Sequence, residues 1–178
     1  MADLLQRLGY EVWIVDPYDG SGNGPSDFQL FSSECPKVRF IRDHFWEKLS
    51  QLRPSTFDCI YSISVLEHLG PAGLVSVTAG LGRFLKPEGT HLHAVDHVHR
   101  GNGADAHLSN LKLMAELFGL SIEELNRQLT QADTDTETYF LSIEGHNRWR
   151  GSLAYREFPM RKCISVQVFG KANSLQRS

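Results

Sequence analysis

The chain lacks any strong excess of charge of one sign: 18 Lys and Arg stand against 21 Asp and Glu, a formal net charge of −3 at pH 7. With a sequence pI of about 6.2, no overall field draws it to nucleic acid or to anionic lipid, which argues against a dedicated DNA-binding module. Cysteine is scarce. Cys35, Cys59 and Cys163 are widely spaced, with no C-x-x-C pair to bind zinc or to cycle as a dithiol, so a reducing, cytoplasmic setting is expected. Long apolar runs are missing as well. The longest charge-free stretch, 69–82, is too short and too rich in small residues to span a bilayer, and Asp3 and Arg7 interrupt the place where a signal peptide would be apolar. Internal repeats are absent, and the polar stretch 131–138 is the one segment of biased composition.

What is present is ordinary globular composition: 41% hydrophobic and 22% charged residues in a chain of 178, enough for one core and too little for two, so residues 1–178 are expected to form a single domain. Leu4, Leu5 and Leu8 lie at helical spacing before Gly9, and Glu11 to Val15 reads as a buried strand stopped by Asp16-Pro17. Tyr18 to Ser26 is a turn-rich loop. Val38 to Ile41 predicts a second strand and Phe57 to Ile63 a third, with a helix over Phe45 to Leu52 between them. Pro71 opens a helix carrying Leu74, Val77, Leu81, Phe84 and Leu85. Lys86-Pro87-Glu88-Gly89 breaks it and hands over to a strand from His91 to Val95 that ends at Asp96. Leu108 to Leu120 predicts a further amphipathic helix continued by Ile122 to Leu129, and Thr138 to Ile143 and Ile164 to Phe169 predict late strands. Alternation of strand and helix implies a parallel sheet.

In such a sheet, ligands bind beyond the carboxyl ends of the strands. The first strand ends in Asp16, a carboxylate able to accept two neighbouring hydroxyls, the second in Asp43-His44, and the third in Ser62-Ile63-Ser64 followed by Val65-Leu66-Glu67-His68-Leu69.

Three segments carry a resemblance to the class I S-adenosylmethionine-dependent methyltransferases. Phe57 to Leu69 (FDCIYSISVLEHL) is similar to that family's fourth strand running into its helix, and Gly82 to Thr90 (GRFLKPEGT) to the turn before its fifth strand. Leu4 to Asp16 matches the segment leading to the acid on its second strand. The resemblance covers roughly residues 3–97, a cofactor half, plus the last strand, leaving 98–178 as the C-terminal, substrate half. It implies an α/β, Rossmann-like, mostly parallel sheet with helices on both faces, in the strand order 3-2-1-4-5-7-6. It also implies S-adenosylmethionine as cofactor, with Asp16 on the ribose, Asp43 and His44 around adenine, and Ser62 and Ile63 along the methionyl arm. Asp96 and His97, ending the fifth strand, then face the transferred methyl: His97 is a candidate base for a substrate hydroxyl or amine, and Asp96 a candidate to fix its tautomer.

The family's first strand and glycine-rich turn are expected before Leu4, so the resemblance implies an N-terminally truncated member lacking that strand. Inner sheet edges left without partners would then invite a homo-oligomer. An alternative makes Gly20-Ser21-Gly22-Asn23-Gly24 the glycine motif and Val12 to Val15 the first strand; a flexible loop near the cofactor is the preferred reading. A non-catalytic module acting in binding or scaffolding is the alternative function. A third is a metal-binding protein, because His91, His93, His97, His99 and His107 cluster with Asp96 and Asp105. Against it, His91 and His93 can be strand residues packed under a helix, and no H-x-x-x-H frame accompanies them. Arg148-Trp149-Arg150, Tyr155-Arg156, Phe158 and Arg161 form a basic, aromatic stretch able to clamp a planar or anionic acceptor or simply to pack a connection, with 147–151 the preferred place for acceptor recognition. Glu67-His68 reads as a helix start.

Overall fold

The computed structural model describes residues 1–20, 24–101, 103–134 and 162–175. In chain order the elements are α1 (Ala2–Arg7), β1 (Trp13–Val15), α2 (Phe28–Glu34), β2 (Arg39–Ile41), β3 (Phe57–Ile63), α3 (Pro71–Phe84), β4 (Leu85–Arg100), α4 (Ala104–Phe118), α5 (Ile122–Thr134) and β5 (Lys162–Lys171). Short 3-10 turns cover Leu66–His68 and Ala172–Ser174.

The architecture is mixed α/β. β1 pairs in parallel with β2, Trp13 opposite Arg39 and Val15 opposite Ile41. β3 pairs in parallel with β4, and β4 antiparallel with β5. A helix lies in each parallel crossover, α2 between β1 and β2 and α3 between β3 and β4, as short parallel connections require. Among the described residues the strands form two sheets, β1-β2 and β3-β4-β5, so β1 and β3 are each hydrogen-bonded along one edge.

Sidedness follows from alternation along β4. Gly89, His91, His93, Val95 and His97 are buried while Thr90, Leu92 and Asp96 are exposed. The buried row packs with Val166 and Val168 of β5 beneath Leu74 and Leu81 of α3 and Leu111, Met114 and Phe118 of α4. A second cluster, Ile41, Leu49, Leu52 and Phe84, is flanked by Trp13 and Val15 of β1 and by Phe57 and Ile60 of β3, so both sheets share one apolar floor. The rings of Trp13 and Phe57 meet edge to face with centroids 6.1 Å apart.

Several expectations need correction. Residues 45–52 form turns rather than a helix. Phe45, Leu49 and Leu52 are spaced like one helical face, but they are anchors in the second cluster, and the Glu47 carbonyl accepts a hydrogen bond from Arg83 instead of from the next turn. The strand expected to end at Asp96 runs on to Arg100 because β5 pairs with it as far as Lys162. Lys86 to Gly89 is not a separate turn but an irregularity inside β4, between the Leu85–Phe57 and Thr90–Cys59 pairs. Gly89 fits there because a Cβ would meet the Phe57 and Lys86 carbonyl oxygens at 3.0 Å. Ile122 opens a new helix rather than continuing α4, whose end is set by left-handed Gly119. The expected strand Thr138 to Ile143 lies outside the described residues, as do the basic, aromatic stretch 148–161 and Ser21, Gly22 and Asn23 of the alternative glycine motif.

Candidate functional site

At the carboxyl end of the smaller sheet, Asp16 follows β1 directly, its amide donating to the Ile41 carbonyl of β2 at 3.1 Å. Its carboxylate Oδ1 accepts the Tyr18 amide at 2.7 Å, an Asx turn that reverses the chain after Pro17. Tyr18 sits in the left-handed region, φ 54°, and its buried ring packs on Phe28, Phe31 and Phe40. The loop after β1 is thus pinned by an aromatic cluster, with half-buried Asp16 at its start. Asp43 stands just past β2, and its Oδ1 accepts the amide of exposed His44 at 2.7 Å. Parallel pairing brings Asp16 and the Asp43-His44 pair to one end of this sheet.

At the carboxyl end of β3, Ser62 is half-buried and its Oγ lies 2.8 Å from Nδ1 of His93 on β4. That hydroxyl therefore serves a buried core histidine. Ile63 and Val65 remain 54% and 47% exposed, uncovered apolar surface at the strand mouth. Ser64, at φ 52°, turns the chain out of the strand while its amide still reaches the Ala94 carbonyl at 2.9 Å. The end of β3 thus meets β4 just before Asp96.

Asp96 and His97 come together in a cavity of about 430 Å³ between the Leu66–His68 turn, β4 and α4, lined also by Glu67, Val95, His107 and Asn110. Asp16, Asp43, His44, Ser62 and Ile63 are not among its lining residues. His97 is 3% exposed, and burial, then the nearby His107 and His99, push its pKa down to about 4, so the imidazole is neutral at physiological pH. The His97 ring stands 6.1 Å from that of His107 and 5.9 Å from that of His99, centroid to centroid. Asp96, one residue earlier on the pleat, is exposed.

Glu67 is the site residue that sequence reading missed. It lies in the first turn of the Leu66–His68 3-10 helix and its side chain turns inward, 4% exposed. Neither carboxylate oxygen has a hydrogen-bond partner among the described residues. Burial holds its pKa above the usual carboxylate value, and the Asp96 carboxylate adds to the rise; the Glu67 and Asp96 amides oppose it from nearby without reaching hydrogen-bond geometry. Asn110 of α4 holds the turn in place, its Nδ2 donating to the Glu67 and Leu69 carbonyls at 3.4 and 3.5 Å. The available signal was an acid directly beyond a strand in a parallel sheet, the same signal that singled out Asp16.

The histidine cluster divides by position. His91 and His93 are 0% and 1% exposed, stacked on each other and against Phe118 of α4. His99 Nε2 lies 2.9 Å from Asp133 Oδ1 of α5. Among the described residues no three His, Cys, Asp or Glu side chains are grouped to hold a metal ion. No helix among them is long and apolar enough to cross a membrane.

No protein-family model matches the chain, and no curated protein matches it. Among solved structures it is similar to the PH0226 protein from Pyrococcus horikoshii OT3, at 29% identity over 52% of this chain and 42% of that one, with a TM-score of 0.42. It is also similar to the geranyl diphosphate C-methyltransferase of Streptomyces coelicolor A3(2), crystallised with Mg2+, geranyl diphosphate and S-adenosyl-L-homocysteine, at 14% identity over 95% and 66% of the two chains, TM-score 0.49. The 1,6-didemethyltoxoflavin-N1-methyltransferase of Burkholderia thailandensis, with its substrate and S-adenosylhomocysteine bound, aligns at 16% identity over 57% and 52%, TM-score 0.37. The match spans about half the length of the Pyrococcus and Burkholderia chains.

Proposed function

We propose that the chain is a methyltransferase domain that binds S-adenosylmethionine at the carboxyl ends of β1, β2 and β3 and places a methyl acceptor in the cavity beside Asp96 and His97. One observation carries the reading: the segment 57–69, on which the family resemblance chiefly rests, forms a strand in parallel register with β4 and ends beside that cavity.

The residues at the strand ends suit the cofactor. Asp16 has one carboxylate oxygen engaged by the Tyr18 amide, leaving Oδ2 and the remaining lone pairs for a ribose diol. Ile63 and Val65 offer uncovered apolar surface of the kind an adenosyl group would bury. Asp43 and His44 would flank adenine, and Ser62 would meet the methionyl arm through its backbone, since its hydroxyl is occupied by His93. When bound, the cofactor supplies an activated methyl on a sulfonium sulfur.

What this chain contributes to the reaction is alignment and proton handling. In-line displacement leaves little for side chains beyond holding the nucleophile on axis, and effective molarity from that positioning can contribute several kcal/mol. His97, neutral and buried, can accept a hydrogen bond from an acceptor O–H or N–H and so orient a lone pair. An imidazole so weakly basic would pass a proton on to solvent rather than keep it. Asp96, exposed at the mouth, can steady the donor on the solvent side.

The test is equilibrium binding of S-adenosylmethionine to the full chain and to Asp16→Ala. Loss of a charge-assisted diol contact predicts at least about tenfold weaker binding; equal affinity would remove Asp16 from the site. A second reading, a non-catalytic module that joins another protein or another copy of itself, is favoured by the single-sided pairing of β1 and β3 among the described residues. It gains if the wild-type chain binds no cofactor but sediments as a concentration-dependent oligomer.

A further inference from the structure

Glu67 poses an energetic problem that the proposed reaction does not use. A carboxylate with no exposed oxygen and no hydrogen-bond donor among the described residues costs several kcal/mol if ionised, and a protein interior rarely keeps one without a partner. The nearest basic side chain among the described residues, His68, places Nε2 3.9 Å from Oε1, outside hydrogen-bond reach. The cavity beside it contains a second carboxylate, Asp96, and two histidines, of which His97 is held neutral. No lysine or arginine is among its described lining residues.

These features select a ligand by elimination. An anionic acceptor would face two carboxylates with no fixed cation among the described lining residues to balance them. A neutral acceptor with a single hydroxyl would leave most of the lone pairs of Glu67 unmet. A protonated amine supplies both missing things, a positive charge and up to three N–H donors on one atom. The walls suit the rest of such a molecule: Leu69, Pro71, Val95 and Leu113 give it an apolar side, and about 430 Å³ is the size of a small-molecule site.

We propose that this cavity is a binding subsite for a small organic ammonium ion, toward which Glu67 turns its carboxylate on binding, with Asp96 at the mouth, and that the acceptor of the proposed methyl transfer is therefore an amine. The second half of that statement rests on the methyltransferase reading; the first half does not. Binding of the cation favours the ionised form of Glu67, so the ligand and the carboxylate satisfy each other.

Two matched sets of probes test it by titration calorimetry and ligand-observed NMR on the full chain without cofactor: phenethylamine against phenethyl alcohol and phenylacetate, and ethanolamine against ethylene glycol. At least one amine is expected to bind saturably at millimolar or lower concentration, with the matched alcohol and the carboxylate weaker by tenfold or more. Glu67→Gln, which keeps shape and removes charge, is expected to weaken the amine at least tenfold and leave the alcohol unchanged, and Asp96→Asn to act in the same direction to a lesser degree. Thermal unfolding of Glu67→Gln controls for misfolding; replacing a buried carboxylate that has no partner should leave the midpoint where it is or raise it. The proposal is overturned if no amine binds, if alcohol or carboxylate binds as well as amine, or if a folded Glu67→Gln protein binds amine as tightly as the wild type. Amine binding without S-adenosylmethionine binding would sink the methyltransferase reading and leave the subsite standing; cofactor binding without amine binding would do the reverse.

Discussion

His91 and His93 show how burial changes the chemistry of one residue type. Both point under α4 against Phe118, and both nitrogens of His91 and Nε2 of His93 lack hydrogen-bond partners among the described residues. Desolvation lowers the His91 pKa to about 4, and burial with the neighbouring His91 lowers that of His93 to about 3. An unfolded histidine titrates near 6.5. Below that pH the unfolded chain takes up protons that the folded chain refuses, so stability is lost as pH falls from about 6.5 toward 4. From pH 7 to pH 5 each such histidine should cost on the order of 2 kcal/mol. Glu67 works the other way, because its raised pKa makes the fold the better proton acceptor. We expect His91→Leu to flatten the acid limb of a urea-midpoint against pH curve. An unchanged slope between pH 7 and pH 5 would show that His91 is not buried neutral. At this scale the sequence could place the histidines on a strand, since alternation puts His91 and His93 on one face. It could not divide His97 and Glu67, which line a cavity, from His91, which fills the core, because that depends on where α4 lies.

Element boundaries follow capping chemistry where it is local and fail where a distant segment intervenes. Pro71 at the first turn of α3 and the Phe57–Ile63 strand were legible, the first because proline fits a helix start and the second because Phe57, Ile60, Tyr61 and Ile63 crowd β-formers into seven residues before Ser64. The end of α4 at Gly119 depends on a contact no local pattern contains. Gly119 is left-handed, φ +65°, and a Cβ there would run into the backbone carbonyl of Ser174, in the 3-10 turn after β5. Ser174 Oγ also donates to the Phe118 carbonyl at 3.3 Å. Gly119→Ala should therefore combine left-handed strain with collision against main chain, at a cost of about 2 kcal/mol or more. A thermal midpoint within a degree of wild type would contradict this docking of the C-terminal turn on α4. Residues 45–52 teach the converse: their apolar spacing was real, but it serves an apolar cluster under β1 and β3 rather than a helix axis.

The whole molecule joins a well-supported sheet to a weakly supported one. β4 is paired on both sides and covered by α3 and α4, whereas β1 and β2 are three-residue strands that, among the described residues, pair only with each other. Two-stranded pairs are marginal without further burial, and local opening begins where buried contact is least. Native-state hydrogen exchange should release the amides of Ile14, Val15 and Phe40 at lower denaturant than those of Leu92, Val95 and Val166. Uniform protection across both sheets would show that the small sheet unfolds only with the rest. The sequence by itself determined the class of fold, the strand 57–63, the helical crossover that Pro71 opens and the acids Asp16 and Asp43 just beyond β1 and β2, because periodicity, turn residues and strand termini are written in neighbouring positions. Only the tertiary structure decided that the strands part into two sheets, that Ser62 serves His93, and that Glu67 closes with Asp96 and His97 on one cavity. Each of those outcomes joins residues far apart in the chain, and burial, the quantity that sets their chemistry, exists only once those segments have packed.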